Sequence, residues 1–125
     1  MLFDTDVLIF IQRGNLPAAR LLERTRKRFI SIVTKMELIQ GALNKGHHQI
    51  VQSFLKDFHI QVLPLTENLG YRASIYIEEY SLSHHMRLAD SLIASTAVEN
   101  SLPLATANTK HYKAVKELEL KIFRP

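Results

Sequence analysis

The stretch Leu2-Phe3-Asp4-Thr5-Asp6-Val7-Leu8-Ile9, near the start of the chain, decides the fold. Two apolar residues precede a short polar segment, and an apolar run from Val7 to Ile11 follows it. This pattern predicts a short buried strand, a turn capped by Asp or Thr, and a helix that ends near Arg13-Gly14. Asp4 is therefore expected at the carboxyl end of the first strand.

Strand and helix patterns alternate along the rest of the chain. Further strands are predicted where β-branched and apolar residues cluster, at 29–33, 60–65, 102–106 and 120–123. Helices are predicted where apolar residues and charges suit one buried face, at 16–26, 34–44, 48–58, 66–80 and 87–101, with Gly46 stopping the second of these. Such alternation predicts an α/β fold with a mostly parallel sheet covered on both faces.

Length and composition predict one domain spanning residues 1–125. The chain is 46% hydrophobic and 22% charged, which excludes wholesale disorder. The lack of cysteine excludes disulfide frameworks, thiolate zinc sites and cysteine nucleophiles, so oxygen or imidazole has to hold any metal. The first apolar run is far shorter than the roughly 20 residues that span a bilayer, and no basic segment precedes it. We therefore expect a cytoplasmic protein with no membrane association.

Three acidic residues are predicted to lie near strand ends. Asp4 follows the first strand, Glu37 lies in the helix after the second, and Asp90 lies in the first turn of the helix at 87–101. Each has an ordinary interpretation, because Asp4 or Asp6 suits an N-cap, Asp90 a helix N-terminus, and Glu37 a solvated face. Together at one sheet edge they would repel unless they held a divalent cation. With oxygen ligands, that cation is expected to be Mg²⁺ or Mn²⁺.

Four segments together resemble the PIN-domain ribonucleases, and most closely the VapC-type toxins of toxin–antitoxin pairs, over the whole chain. The first is the opening stretch, in which the position of Asp6 is usually Asn. The others are Ser31 to Leu38 followed by Gly41, Leu88 to Ala94 with Ala97, and Leu104 to Tyr112. Each segment alone is a weak signal, whereas four in order at this spacing make a strong one.

By this resemblance, Asp4, Glu37 and Asp90 would be catalytic carboxylates that bind Mg²⁺ or Mn²⁺, and the reaction would be endonucleolytic cleavage of RNA by a metal-activated water. Residues expected to orient them are Asp6, Thr106, Asn108 and His111. His111 departs from the family, because many relatives carry an acid there, which puts a second metal ion in question. The resemblance also implies a three-layer α/β/α fold, an RNA substrate, a cognate antitoxin protein and a homodimer.

Other side chains suggest surfaces rather than chemistry. Candidate RNA phosphate contacts form two basic groups, Arg24, Arg26, Lys27 and Arg28, and Lys110, Lys113, Lys116, Lys121 and Arg124. An ordinary solvated face is the alternative for each group. The pairs His47-His48 and His84-His85 point to different sides of a helix, so we expect surface histidines. Core or dimer contacts are expected from Tyr71, Ile75 and Tyr76.

Two other enzyme or signalling classes fit less well. Asp4-Thr5-Asp6 after a strand also resembles the opening motif of haloacid-dehalogenase-like phosphatases, but no suitable Asp follows the strand at 60–65. A response-regulator receiver needs an Asp after its third strand, and Asp57 precedes that strand instead. A PIN module that binds RNA or a partner without cleavage stays open because of His111.

The charge of the protein surface depends on where the acidic residues lie. Sixteen Lys and Arg against twelve Asp and Glu give +4, which permits nucleic-acid binding without establishing it. If Asp4, Asp6, Glu37 and Asp90 all face one pocket, the remaining surface carries sixteen basic groups against eight acidic ones, a balance nearer +8. The sequence thus predicts an acidic pocket in a distinctly basic surface.

Overall fold

The computed structural model describes residues 1–125 and contains one five-stranded sheet. The strands are β1 (Leu2–Phe3), β2 (Arg28–Ser31), β3 (Ile60–Leu63), β4 (Leu104–Thr106) and β5 (Leu120–Ile122). The helices are α1 (Thr5–Gln12), α2 (Leu16–Arg24), α3 (Ile32–Gln40), α4 (Lys45–Asp57), α5 (Glu67–His84), α6 (Leu88–Glu99) and α7 (Thr109–Tyr112). No helix is both long enough and apolar enough to cross a membrane.

Every strand pair is parallel, and the order across the sheet is β3-β2-β1-β4-β5. In the central strand, Leu2 pairs with Phe29 of β2 on one side and with Leu104 of β4 on the other. From β1 the chain adds β2 and then β3 on one side of the sheet, and it then returns to add β4 and β5 on the other side of β1. The direction in which strands are added therefore reverses between β1 and β4. Ligands of such sheets bind beyond the carboxyl ends of the strands at this reversal.

The core lies on both faces of the sheet. Leu2 and Phe3 are both fully buried, and as consecutive strand residues they point to opposite faces. Helices α1, α2 and α4 pack on the side of Phe3, and α5, α6 and α7 pack on the side of Leu2. The predicted three-layer α/β/α fold is thereby confirmed.

Two predicted boundaries around the second strand are wrong. Ile32 and Val33, predicted to end the strand, begin α3, because the Ser31 side chain caps that helix by accepting from the Val33 amide at 3.1 Å. Gly46 does not stop α3, which ends at Gln40 with Gly41 as its cap. Gly46 lies inside α4 instead, which begins where the Asn44 side chain accepts from the His47 amide at 2.9 Å.

The second half of the chain differs from the prediction in two places. α5 continues to His84, beyond the predicted end at Tyr80, and ends at His85, whose φ of 53° is left-handed. The short helix α7 was not predicted from the sequence. It follows β4 directly and places Tyr112, which is fully buried, beneath the carboxyl end of the sheet.

Candidate active site

Asp4 is held between the end of β1 and the end of β4. It caps α1, because its Oδ1 accepts from the Thr5 amide at 2.8 Å, and its Oδ2 accepts from the Thr106 hydroxyl at 2.7 Å. Only 7% of the residue is exposed. Burial, with a further contribution from the charge of Asp6, raises the pKa of Asp4 to about 7. A carboxyl group in this state is poised to release its proton when a cation approaches.

Asp6 faces the same hydroxyl from the first turn of α1. Its Oδ2 accepts from the Ala107 amide at 3.0 Å and lies 3.3 Å from the Thr106 Oγ1. Because a hydroxyl has one proton, Thr106 donates it at the shorter distance, to Asp4, while its oxygen accepts from the Asn108 amide at 3.0 Å. Burial raises the pKa of Asp6. The backbone of Asn108, rather than its side chain, therefore supports this pair.

Glu37 joins the site through two threonines. The Thr5 Oγ1 lies 2.7 Å from Glu37 Oε1 and 2.9 Å from the Thr34 Oγ1. The single arrangement that satisfies all three groups has Thr34 donating to Thr5 and Thr5 donating to Glu37. Both threonines are buried, whereas Glu37 is exposed. Its second carboxylate oxygen is therefore free for water, substrate or a cation.

Asp90 is fixed from three directions. Its Oδ2 accepts from the Arg87 amide at 3.1 Å and lies 3.2 Å from His111 Nδ1, while its Oδ1 accepts from the Tyr112 hydroxyl at 3.3 Å. The same His111 nitrogen lies 3.1 Å from the carbonyl oxygen of His85. His111 thus contacts Asp90 directly and ties α7 to the loop that precedes α6.

Tyr112 links Asp90 to Asp4. The pKa of its hydroxyl is raised well above the ordinary value, first by burial and then by the charges of Asp4 and Asp90. The hydroxyl group therefore stays protonated and stands as a donor between two carboxyl groups that come from distant parts of the chain. None of the four acids pairs with a Lys or Arg, and the single ion-pair partner in the cluster is His111.

The donor set suits a hard divalent cation, although no three His, Asp or Glu side chains stand close enough together to form a complete ligand set. Mg²⁺ is commonly held by one or two carboxylates, with water filling the other positions, so a complete set is not required. Asp6 Oδ1 is buried and has no hydrogen-bond partner, which is costly for a carboxylate oxygen in a site without a cation. Asp4 and Asp6 flank the Thr106 hydroxyl, and Asp90 contacts the Tyr112 hydroxyl, so these three carboxyl groups are the candidate ligands.

The basic residues predicted to contact RNA divide between two edges of the sheet. Arg28 is engaged in the fold, because its guanidinium donates to the carbonyl oxygens of Thr25, Phe58 and Glu23. Lys27 lies at the amino end of β2, four residues and about 13 Å along the strand from the level of Asp4. Lys110, next to His111 in α7, is at the same edge as the acids and is exposed.

A second basic surface runs between α2 and β5. A groove of about 700 Å³ there is lined by four cationic side chains, Arg20, Arg24, Lys121 and Arg124. On its β5 side the groove borders β4, where the Phe123 amide donates to the Thr106 carbonyl oxygen at 2.8 Å. Arg24 was predicted as part of the cluster before β2 and belongs to this groove instead.

Sequence reasoning missed the polar residues that connect the acids. Thr5 and Thr34 lie beside predicted site residues, but their hydroxyl groups meet across 29 positions of the chain, which no local pattern reveals. The sequence marks Tyr112 only as the last residue of the segment Leu104 to Tyr112. Of the predicted apolar contacts, Tyr76 is buried in the core, whereas Tyr71 and Ile75 are 65% and 51% exposed, so a homodimer through them stays a prediction.

The sequence of this chain is similar to those of known proteins over most of its length. A family model described as PIN domain matches residues 1–117. Ribonuclease VapC10 of Mycobacterium tuberculosis is 37% identical over 123 residues, covering 95% of this chain and 90% of that protein. Ribonuclease VapC1 of Methanocaldococcus jannaschii is 32% identical over 123 residues, covering 98% and 86%. The chain belongs to the PIN domain family.

Solved structures with the same fold include two toxin–antitoxin assemblies. A toxin-antitoxin complex from Klebsiella pneumoniae has a chain that is 28% identical and matches with a TM-score of 0.79, covering 94% of this chain and 93% of that one. VapBC2 from Rickettsia felis, bound to a DNA fragment from its promoter, matches with a TM-score of 0.82 at 20% identity, covering 98% of each chain. The second match supports the fold alone.

Proposed function

We propose that this PIN-domain chain is a metal-dependent endoribonuclease and the toxin of a toxin–antitoxin pair. The observation that carries the proposal is the group of four carboxylates at the reversal of strand order, which has no Lys or Arg counter-ion. The names of the relatives, ribonucleases and members of toxin–antitoxin complexes, support RNA as the substrate and an antitoxin protein as the partner. RNA as substrate and the absence of cysteine favour a cytoplasmic location.

Each residue of the acidic site has a separate role in the proposed cleavage of RNA. Asp4 and Asp90 would hold the cation, Mg²⁺ or Mn²⁺, which would polarise the phosphodiester and lower the pKa of a bound water. Glu37, with one oxygen anchored by Thr5, accepts the proton of the attacking water on its free oxygen. Tyr112 and the Arg87 amide keep Asp90 oriented, and His111 adds a third contact to it.

The basic groove between α2 and β5 provides the path for the RNA backbone. Its four cationic side chains can contact RNA phosphates, and Lys110 offers a further cation at the edge of the sheet where the acids lie. Phosphate contacts of this kind position RNA without reading its bases. The groove thus accounts for affinity and leaves sequence preference to other contacts.

The proposed function is tested by incubating the purified chain, free of any partner protein, with RNA in Mg²⁺ or Mn²⁺. We expect cleavage by the wild-type chain and loss of cleavage in Glu37→Gln, which keeps the shape of the side chain and removes its basicity. Glu23→Gln, an exposed change on α2, is the matched control and should leave cleavage intact. A wild-type chain that leaves RNA uncut in both metals would favour a PIN module that binds without cleavage.

A further inference from the structure

Asp6 is held in one orientation by its neighbours. It lies at the second position of α1, and its Oδ2 accepts from the Ala107 amide at 3.0 Å, just beyond the end of β4. This contact crosses 101 positions of the chain and pins one oxygen against the backbone. The other oxygen, Oδ1, is consequently directed away from Ala107 and cannot share its donor.

The Oδ1 oxygen of Asp6 is buried and has no hydrogen-bond partner. No Lys, Arg or His pairs with the carboxyl group, and Asp4 stands on the other side of Thr106. A buried carboxylate oxygen without a donor is costly, and a second carboxylate nearby adds repulsion. The Ala107 amide and the N-terminus of α1 offset part of this charge, but Oδ1 itself has no donor and no cationic side chain beside it.

A role in orienting other residues does not explain why position 6 carries an aspartate. The only contacts that Asp6 makes with the rest of the site, to Ala107 and Thr106, both use Oδ2. An amide oxygen would accept from the Ala107 amide equally well, so asparagine would serve an orienting role without the repulsion. Only the second, unpartnered oxygen distinguishes aspartate from asparagine here.

We infer that Asp6 Oδ1 is a direct ligand of the divalent cation, shared with Asp4 across the Thr106 hydroxyl. This inference rests on the proposed function, since it assigns a ligand to the same cation. It changes the expected role of Asp6 from a group that orients the ligands to a ligand itself. Asp6 would then join Asp4 and Asp90, the two ligands assigned under the proposed function, and water would complete the coordination shell.

The test is the binding of Mn²⁺ to the metal-free full-length chain, measured by isothermal titration calorimetry. We expect Asp6→Asn to weaken Mn²⁺ binding by more than about 100-fold, which exceeds the range for losing a residue that only supports a ligand. Asp57→Asn, which removes the same charge from an exposed residue of α4, is the matched control and should bind as the wild type does.

Thermal unfolding of the same metal-free proteins provides a second measurement, in which the expected change is a gain of stability rather than a loss of affinity. Because Asp6→Asn removes the charge that repels Asp4 and keeps the contact to Ala107, we expect its midpoint of unfolding to rise while its affinity for Mn²⁺ falls. If Asp6 only oriented the site through Oδ2, Asp6→Asn would keep that contact, and its affinity for Mn²⁺ would not fall when its midpoint of unfolding rises.

The outcomes separate the two proposals. If the wild type binds Mn²⁺ and Asp6→Asn binds it within about 100-fold of the wild type, Asp6 is no direct ligand and the inference is overturned, while the proposed function stands. If the wild type itself binds neither Mn²⁺ nor Mg²⁺, both fail together. Weaker binding by a variant whose midpoint of unfolding has fallen would assign Asp6 a structural role and also contradict the inference.

Discussion

Replacing Asp4 with asparagine is expected to stabilise the metal-free protein at alkaline pH. Burial raises the pKa of Asp4 from an ordinary value of 3.8 to about 7. Between these two values the folded protein holds a proton on Asp4 that the unfolded chain has released. The free energy of unfolding therefore falls as the pH rises from about 4 to about 7, and the contribution is lost above that range.

The size of the effect follows from the difference in pKa. At about 1.4 kcal/mol for each pKa unit, Asp4 costs about 4 kcal/mol over the full range and about 3 kcal/mol between pH 5 and pH 8. Asparagine is as good an N-cap as aspartate and accepts from the Thr5 amide in the same way. The stability of Asp4→Asn relative to the wild type should therefore increase by about 3 kcal/mol from pH 5 to pH 8.

Urea denaturation followed by circular dichroism, in EDTA and at one-unit steps of pH, measures this difference. Asp57→Asn controls for the loss of one negative charge at an exposed position and should show no such dependence. Added Mg²⁺ should raise the stability of the wild type at pH 8 and leave Asp4→Asn nearly unchanged. A difference between Asp4→Asn and the wild type that stays constant across pH would refute the reasoning, because it would mean that Asp4 ionises normally in the fold.

Three further changes test other contacts of the structure. Thr5→Val should lower the rate of cleavage by about tenfold or more, because Glu37 loses its anchor and the Thr34 hydroxyl loses an acceptor; an unchanged rate in single-turnover assays would contradict the role of this hydroxyl. Lys110→Ala should reduce the salt dependence of RNA binding, measured by filter binding, by about one unit of slope, whereas an unchanged slope would remove Lys110 from the RNA contact. Ser95→Ala should leave the free energy of unfolding in urea unchanged or raise it by up to about 1 kcal/mol, because its buried hydroxyl has no partner; a clear loss would reveal a contact that is missing here.

The sheet and the position of the acids follow from local sequence patterns. The apolar pair before Asp4 predicts a buried strand, and a residue that follows a buried strand has to lie at the sheet edge. The alternation of strands and helices predicts parallel pairing, which brings the ends of β1 and β4 together. The place of Asp4, Asp90 and Thr106 at one edge is therefore accessible from the sequence.

The contacts between the acids are not accessible in this way. Ile32 and Val33 are typical of a strand, yet they begin a helix, which the Ser31 side chain caps by accepting from the Val33 amide. The hydroxyl of Tyr112 reaches Asp90 across 22 positions because α7 turns back beneath the sheet. Arg28 looks like one of several surface cations, but three backbone carbonyl groups bind its guanidinium. Such contacts depend on tertiary packing, which periodicity does not encode.

The central claim is that the acidic site hydrolyses RNA with a metal-activated water. Cleavage of RNA by the purified chain in ¹⁸O-enriched water with Mg²⁺, followed by mass spectrometry of the products, tests it most directly. The account predicts a terminal phosphate that carries one ¹⁸O atom, no 2′,3′-cyclic phosphate, and no product from Asp90→Asn or in EDTA. Cyclic phosphate ends, or cleavage that persists in EDTA, would contradict it, because the 2′-hydroxyl of the RNA rather than water would then be the nucleophile.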